Sequence, residues 1–433
     1  MEHIVFSKDL TKADRLLLQS LASDLKRHHH PEAANGSANG APTKPQAQDG
    51  PCQDADDDAI LDTLMGLNNP KDKRFEPTIM MGVDYDSFST PSWLNSCIVQ
   101  PYIRMAKSLV RVETDVVMVT HLLLYFLTSI PSAIVLFRHF TYLHGVLHFV
   151  MQFSYMGTYT LMMHQHIHMR GILNKNFWLF DSLFPYITDP LMGHTWNTYF
   201  YHHVKHHHVE GNGPHDLSST LRYQRDNIFH LLHYIGRFFF LIWFDLPLYF
   251  LYDKRPTMAV KAFFWEMSSY ATLYTFYRLN PRACFFVFLL PLLLLRLGLM
   301  IGNWGQHAFV DRDDPDSDYR SSITLIDVAS NRHCFNDGYH TSHHLNPLRH
   351  WREHPVSFLK SKDTYASQQA LVFHNIDYLM ITVRLMLQDY DTLAKCMVPL
   401  GDQIPMTMEQ RKALLKRCTQ QFTEEEIQAK FKK

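Results

Sequence analysis

Two apolar runs, VVMVTHLLLYFLTSIPSAIVLF (116–137) and TYLHGVLHFVMQFSYMGTYTLMM (141–163), are the strongest constraint on the fold. Each is long enough to cross a bilayer, which takes about 20 residues. The short break at Arg138–Phe140 makes them an antiparallel hairpin, so both outer ends face one side. A second pair, 262–277 and 283–301, is separated by the turn-like RLNPR and reads as a second hairpin. The run at 228–251 is apolar and aromatic but interrupted by Gly236, Arg237, Asp245 and Pro247. It is expected to lie at the interface or re-enter without crossing; the rival arrangement makes it a span and leaves 262–277 on the far side. Lys254, Arg255 and Lys261 behind it suit a cytosolic loop. The predicted class is an all-α integral membrane protein with two transmembrane helical hairpins (four spans) and a cytosolic His-rich cap.

The 433 residues carry 41 basic and 42 acidic side chains, so no charge excess points to nucleic acid. Six scattered cysteines contain no CxxC pair, which argues against a disulfide framework and a Cys-ligated zinc ribbon. The first residues lack the apolar core of a cleaved signal peptide. Residues 1–27 are expected to form an amphipathic helix around Leu16, Leu17, Leu18, Leu21 and Leu25. The Ala/Gly/Pro/Asp-rich stretch 28–60, with His28, His29 and His30, reads as a disordered linker. A cytosolic pre-membrane segment (61–115), the membrane domain (116–360) and a cytosolic helical C-terminal region (361–433) are expected to complete the chain. Trp304 and Trp351 are expected to be interfacial anchors.

Four histidine clusters fall on one predicted membrane face. His164 and His168 in HQHIH are four apart, which stacks them on one side of a helix. His203, His206 and His207 form an H-x-x-H-H pattern, and His340, His343 and His344 repeat it. Asn303 and His307 in NWGQH are again four apart, where the last span emerges. Any one pair is more often surface or packing than ligand, but the joint pattern on one face is poorly explained by chance. In the second cluster the register is ambiguous: His202 with His206 and His207 is the rival, and His208 reads as a bystander. His144, His148 and His121 sit at the wrong depth, since 16 residues of helix put His148 roughly 24 Å from His164.

Nine imidazoles overfill a single zinc site of three or four ligands. They suit two metal ions, and a two-metal site against a membrane suggests a hard oxidation of a lipid, for which iron has a use. Asp189, Asp216, Asp311 and Asp337 are candidates to accept the outer ring N–H of ligating histidines.

HQHIH, HVKHH, NWGQH and HTSHH, in that order around two hairpins, resemble the histidine boxes of the membrane fatty acid desaturase and hydroxylase superfamily, over about 116–360. The resemblance implies two iron ions at the cytosolic face, O2 as co-substrate and an acyl chain in a tunnel below. By motif, His164, His168, His203, His206, His207, His340, His343 and His344 match the boxes. His307 resembles an extra ligand and Asn303 the holder of a metal-bound water. The resemblance implies a multi-pass protein of the endoplasmic reticulum. No HPGG haem motif is found, so no bound haem is expected, nor a flavin. Electrons would come from a separate donor such as cytochrome b5 and its reductase.

The leading expectation is a di-iron desaturase acting on a fatty-acyl lipid. A hydroxylase on the same ligands is the near alternative. A zinc-dependent membrane hydrolase or a non-enzymatic metal-binding membrane protein is the other class; the absence of HExxH counts against the hydrolase.

Overall fold

The computed structural model describes residues 4–7, 10–29, 55–85, 90–326 and 328–431. Helix dominates it, and three helical segments are long and apolar enough to cross a membrane: Val116–Arg138, Ile228–Tyr252 and Pro281–Gln306. The Tyr142–Met169 and Pro256–Leu279 helices are comparably long but more polar.

The Val116–Arg138 and Tyr142–Met169 helices form the expected hairpin. Thr141 caps the second by accepting from the His144 amide at 3.3 Å. Small polar groups bind the pair together: Ser129 Oγ donates to Gln152 Oε1 at 2.7 Å, and Ser132 Oγ meets both His144 (2.8 Å) and His148 (2.9 Å). His121 meets the Tyr125 hydroxyl at 3.2 Å. All three histidines thus have packing partners within the bundle.

Pro256–Leu279 returns through Asn280, whose side chain accepts from the Ala283 amide, into the Pro281–Gln306 rod. Phe276, Phe288 and Phe137 meet in edge-on and tilted contacts at the end remote from His307 and join the two hairpins. Ile228–Tyr252 behaves differently. Near its start the Tyr234 hydroxyl donates to Ser218 O at 3.1 Å, and near its end the Tyr249 hydroxyl donates to Glu210 Oε1 at 2.5 Å. Between them Phe238 packs edge-on against His202. This helix therefore runs along the histidine-bearing layer for most of its length.

The chain departs from an all-α fold. Ile323–Ile326 (β1), Leu371–His374 (β2) and Met397–Val398 (β3) form a sheet in that order, β1 parallel to β2 and β2 antiparallel to β3. All ten residues are buried, so the strands read as short apolar runs without alternation. The Lys12–His29 helix packs Leu17, Leu18 and Leu21 against Val356, Phe358 and Val372, the last in β2. Residues 30–54 of the expected linker lie outside the described residues, but its end is not irregular: Ala55–Asn68 is a helix. The two tryptophans are not exposed anchors. Trp304 is fully buried and donates to Arg225 O, and Trp351 is buried and donates to Asp115.

Gly305 lies where the Pro281–Gln306 rod crosses the Tyr378–Met386 helix, and an added Cβ would meet Tyr378 O at 2.5 Å. A backbone carbonyl cannot rotate away. Gly305→Leu is expected to lower the melting temperature of detergent-purified protein, at an overpacking cost of about 1–3 kcal/mol; an unchanged transition would refute this packing.

Candidate metal centre

Nine histidine rings converge as two groups. His164, His168, His203, His208 and His343 form one, and His207, His307, His340 and His344 the other. Within each group the candidate ligand nitrogens lie within 4.8 Å of one another, so each could hold a metal ion. Local helix geometry explains the division. His164 and His168 share a face near the end of the Tyr142–Met169 helix. In the His340–Leu345 helix, His340 and His344 are four apart and face one group, while His343, about 100° around the axis, faces the other.

The middle cluster follows another rule. Phe200–His207 is a π-helix. In an α-helix, residues five apart lie about 140° apart around the axis; the wider i→i+5 winding brings them onto nearly one face. His203 and His208 accordingly meet at 3.1 Å, Nε2 to Nε2, and His207 turns to the second group. His206 belongs to neither. Its Nε2 accepts from the Leu217 amide at 3.2 Å and faces His215 O. The structure thus assembles eight of the nine expected histidines, adds His208 and leaves out His206. His202 lies outside both groups, stacked against His206 and edge-on to Phe238.

The ring nitrogens lie close together within each group. His164 Nε2 lies 2.7 Å from His203 Nε2 and 3.1 Å from His343 Nε2, and His343 Nε2 is 2.8 Å from His208 Nε2. In the second group His340 Nε2 is 3.1 Å from His307 Nε2 and 3.0 Å from His344 Nε2. A neutral imidazole has one N–H, so these nitrogens cannot all be satisfied by hydrogen bonds. Metal–nitrogen bonds of about 2.1 Å at right angles would separate neighbouring nitrogens by about 3 Å. Two more buried nitrogens, His168 Nε2 and His207 Nε2, have no hydrogen-bond partner among the described residues. The donor set therefore fits metal in both groups.

The outer nitrogens fix ring orientation. His207 Nδ1 lies 2.7 Å from Asp216 Oδ2, and His307 Nδ1 2.7 Å from Ser321 O. Burial opposes charge on Asp216, but the adjacent His207, the His206 ring and the Ser218 amide hold its carboxyl low. Asp318 stands 3.7 Å from His344 Nδ1, a neighbour the sequence reading did not single out. Asp189 instead accepts from Tyr159 at 2.6 Å, Asp311 accepts from the Asp313 and Asp314 amides, and Asp337 is enclosed, its carboxyl raised to about 7 by burial. Asn303 Nδ2 donates to Ser218 O (3.0 Å) and the Tyr234 hydroxyl (2.6 Å).

A cavity of about 550 Å³ opens on His164, His203, His207 and His340 and extends between the long helices past Leu161, Leu295 and Leu299 to Phe153. Its apolar walls and the histidine end suit a lipid chain presented to metal-bound chemistry.

Burial lowers the imidazole pKa values of His203, His208, His340, His343 and His344 well below the usual range, and that of His307 to about 3. Neutral rings are the form a metal binds. The unfolded chain, with ordinary histidines near 6.5, takes up more protons as pH falls below that value. Metal-stripped protein should therefore lose stability progressively between about pH 6.5 and pH 3. Chemical denaturation across that range checks this, and a flat profile would contradict it.

Comparison with known proteins agrees with this geometry. No curated protein and no solved structure matches the chain. The family model described as Fatty acid desaturase matches residues 122–375, which is more than half of the chain and takes in every histidine of both groups. The chain belongs to the fatty acid desaturase family.

Proposed function

We propose that the protein is an O2-dependent di-iron lipid oxidoreductase that introduces a double bond into a fatty-acyl chain. The observation that carries this reading is the pair of converging imidazole groups at the end of an apolar cavity. His164, His168, His203, His208 and His343 would hold one iron, and His207, His307, His340 and His344 the other. Asn303, which lines the cavity, would hold a water on the second iron. When bound, the iron pair supplies oxidation of an unactivated C–H bond by O2, with two electrons delivered by a separate donor such as cytochrome b5.

The chain's own residues do the rest. Asp216 and Ser321 O fix the outer nitrogens of His207 and His307, so the inner nitrogens stay turned toward the centre. Leu161, Leu295 and Leu299 hold an alkyl chain against the histidine end and exclude water from it. The two hairpins would supply four spans, with Ile228–Tyr252 lying along the membrane surface beneath the cap. That orientation, in the endoplasmic reticulum, would turn the histidines to the cytosol.

Expression in a yeast lacking its own desaturation, with lipid profiling by mass spectrometry, tests the reaction. A new alkene that disappears in His343→Ala is expected. A new alcohol would redirect the reading to a hydroxylase, and product formation by His343→Ala would sink it.

Metal content separates the two registers. His208→Ala should lose about one iron per chain, while His206→Ala keeps both. The reverse result would restore the H-x-x-H-H register, and stoichiometric zinc without iron after anaerobic purification would end the oxidase reading.

A further inference from the structure

The cavity wall is not uniformly apolar. Arg296, on the Pro281–Gln306 rod, lines it and forms an ion pair with Glu266 of the Pro256–Leu279 helix. The Tyr270 hydroxyl donates to the same carboxylate, and the Arg296 guanidinium also lies 5.5 Å from the Tyr270 ring centroid. Thr195 and Thr198, which also line the cavity, stand beside Glu266. Glu266 is 1% exposed and Arg296 9%, so little of this charge reaches bulk water.

Such a group is expensive. Desolvating an ion pair costs several kcal/mol per ion, and its attraction often fails to repay that against well-packed apolar residues. Ionisable side chains within membrane segments gather at cavities and mark what passes through them. A saturated alkyl chain has no use for guanidinium and threonine hydroxyl groups, and it would strip water from them without replacing a hydrogen bond. An oxygen substituent on the chain would replace it. The location favours a specificity role over a chemical one. Arg296 is seven residues before Asn303, roughly 10 Å along the helix, too far to touch the reacting carbon.

We infer that Arg296, held by Glu266, is a specificity determinant that selects a lipid chain bearing a hydroxyl or carbonyl oxygen roughly 10 Å from the oxidised carbon. The guanidinium donates to that oxygen, and Thr198, beside Glu266, offers a second polar contact. The inference rests on the reading of this cavity as the substrate channel.

Equilibrium binding of radiolabelled stearate and mid-chain hydroxystearate to the full-length protein in nanodiscs tests it without turnover. Wild-type protein should bind the hydroxylated probe about tenfold more tightly, a difference of about 1.4 kcal/mol. Replacing both charges together, Arg296→Leu with Glu266→Leu, avoids stranding one of them and should erase the preference while keeping stearate binding within about twofold. If the double variant does not fold, Arg296→Lys retains the charge but loses the planar fork, and the preference should fall severalfold. Equal wild-type affinity for the two probes, or a preference that survives these substitutions, overturns the inference. A preference found in protein that oxidises neither lipid would defeat the oxidase reading alone. Lipid oxidation without the preference would defeat this inference alone.

Discussion

Nine imidazole rings, seven buried and two half-buried, are placed so that their nitrogens face one another rather than water. Left without partners, buried polar atoms at this density would destabilise the fold. Metal coordination would resolve the conflict, and the same burial keeps the rings neutral, the form a metal binds. The remaining architecture can be understood as what holds the ligand-bearing segments in register while that binding energy is realised.

The bracing comes from both chain ends. Tyr339, directly before His340, donates to buried Asp14 of the N-terminal helix, and Asn331 Nδ2 reaches the same carboxylate at 3.2 Å. At the other end, fully buried Arg225 donates to Ala308 O, Thr220 O, Cys418 O and Gln420 O. These bonds tie the segment after Asp216 and the segment after His307 to the C-terminal tail. Phe422 and Ile427 of that tail close over Leu221 and Val310. A metal centre built from separate segments requires such supports, because small ring displacements would spoil the ligand geometry.

Much of this was legible in the sequence. The first hairpin followed from two apolar runs and a short break, and the first ligand pair from i, i+4 spacing in HQHIH. The interruption of 228–251 by Gly, Arg, Asp and Pro was readable too, yet Ile228–Tyr252 is one of the three helices long and apolar enough to cross a membrane. The strands escaped because four buried residues such as ITLI and LVFH carry no alternation to distinguish them. Trp304 and Trp351 misled because an aromatic residue near a span suits an anchor or a core position equally well until its neighbours are known.

By itself, the sequence determined the family, the histidine-rich layer beside the spans and eight of the nine clustered rings, because residue type and helical spacing are local properties. Tertiary structure decided that His208 and not His206 joins the centre, because the π-helical winding of 200–207 and the Leu217 amide that His206 accepts are set by packing. It also decided which ligands share a group and that Asp216 alone of the four expected acids touches one of them. The pairing of Arg296 with Glu266 beside the cavity was decided there too. These choices join residues far apart in the chain, and no short-range pattern records them.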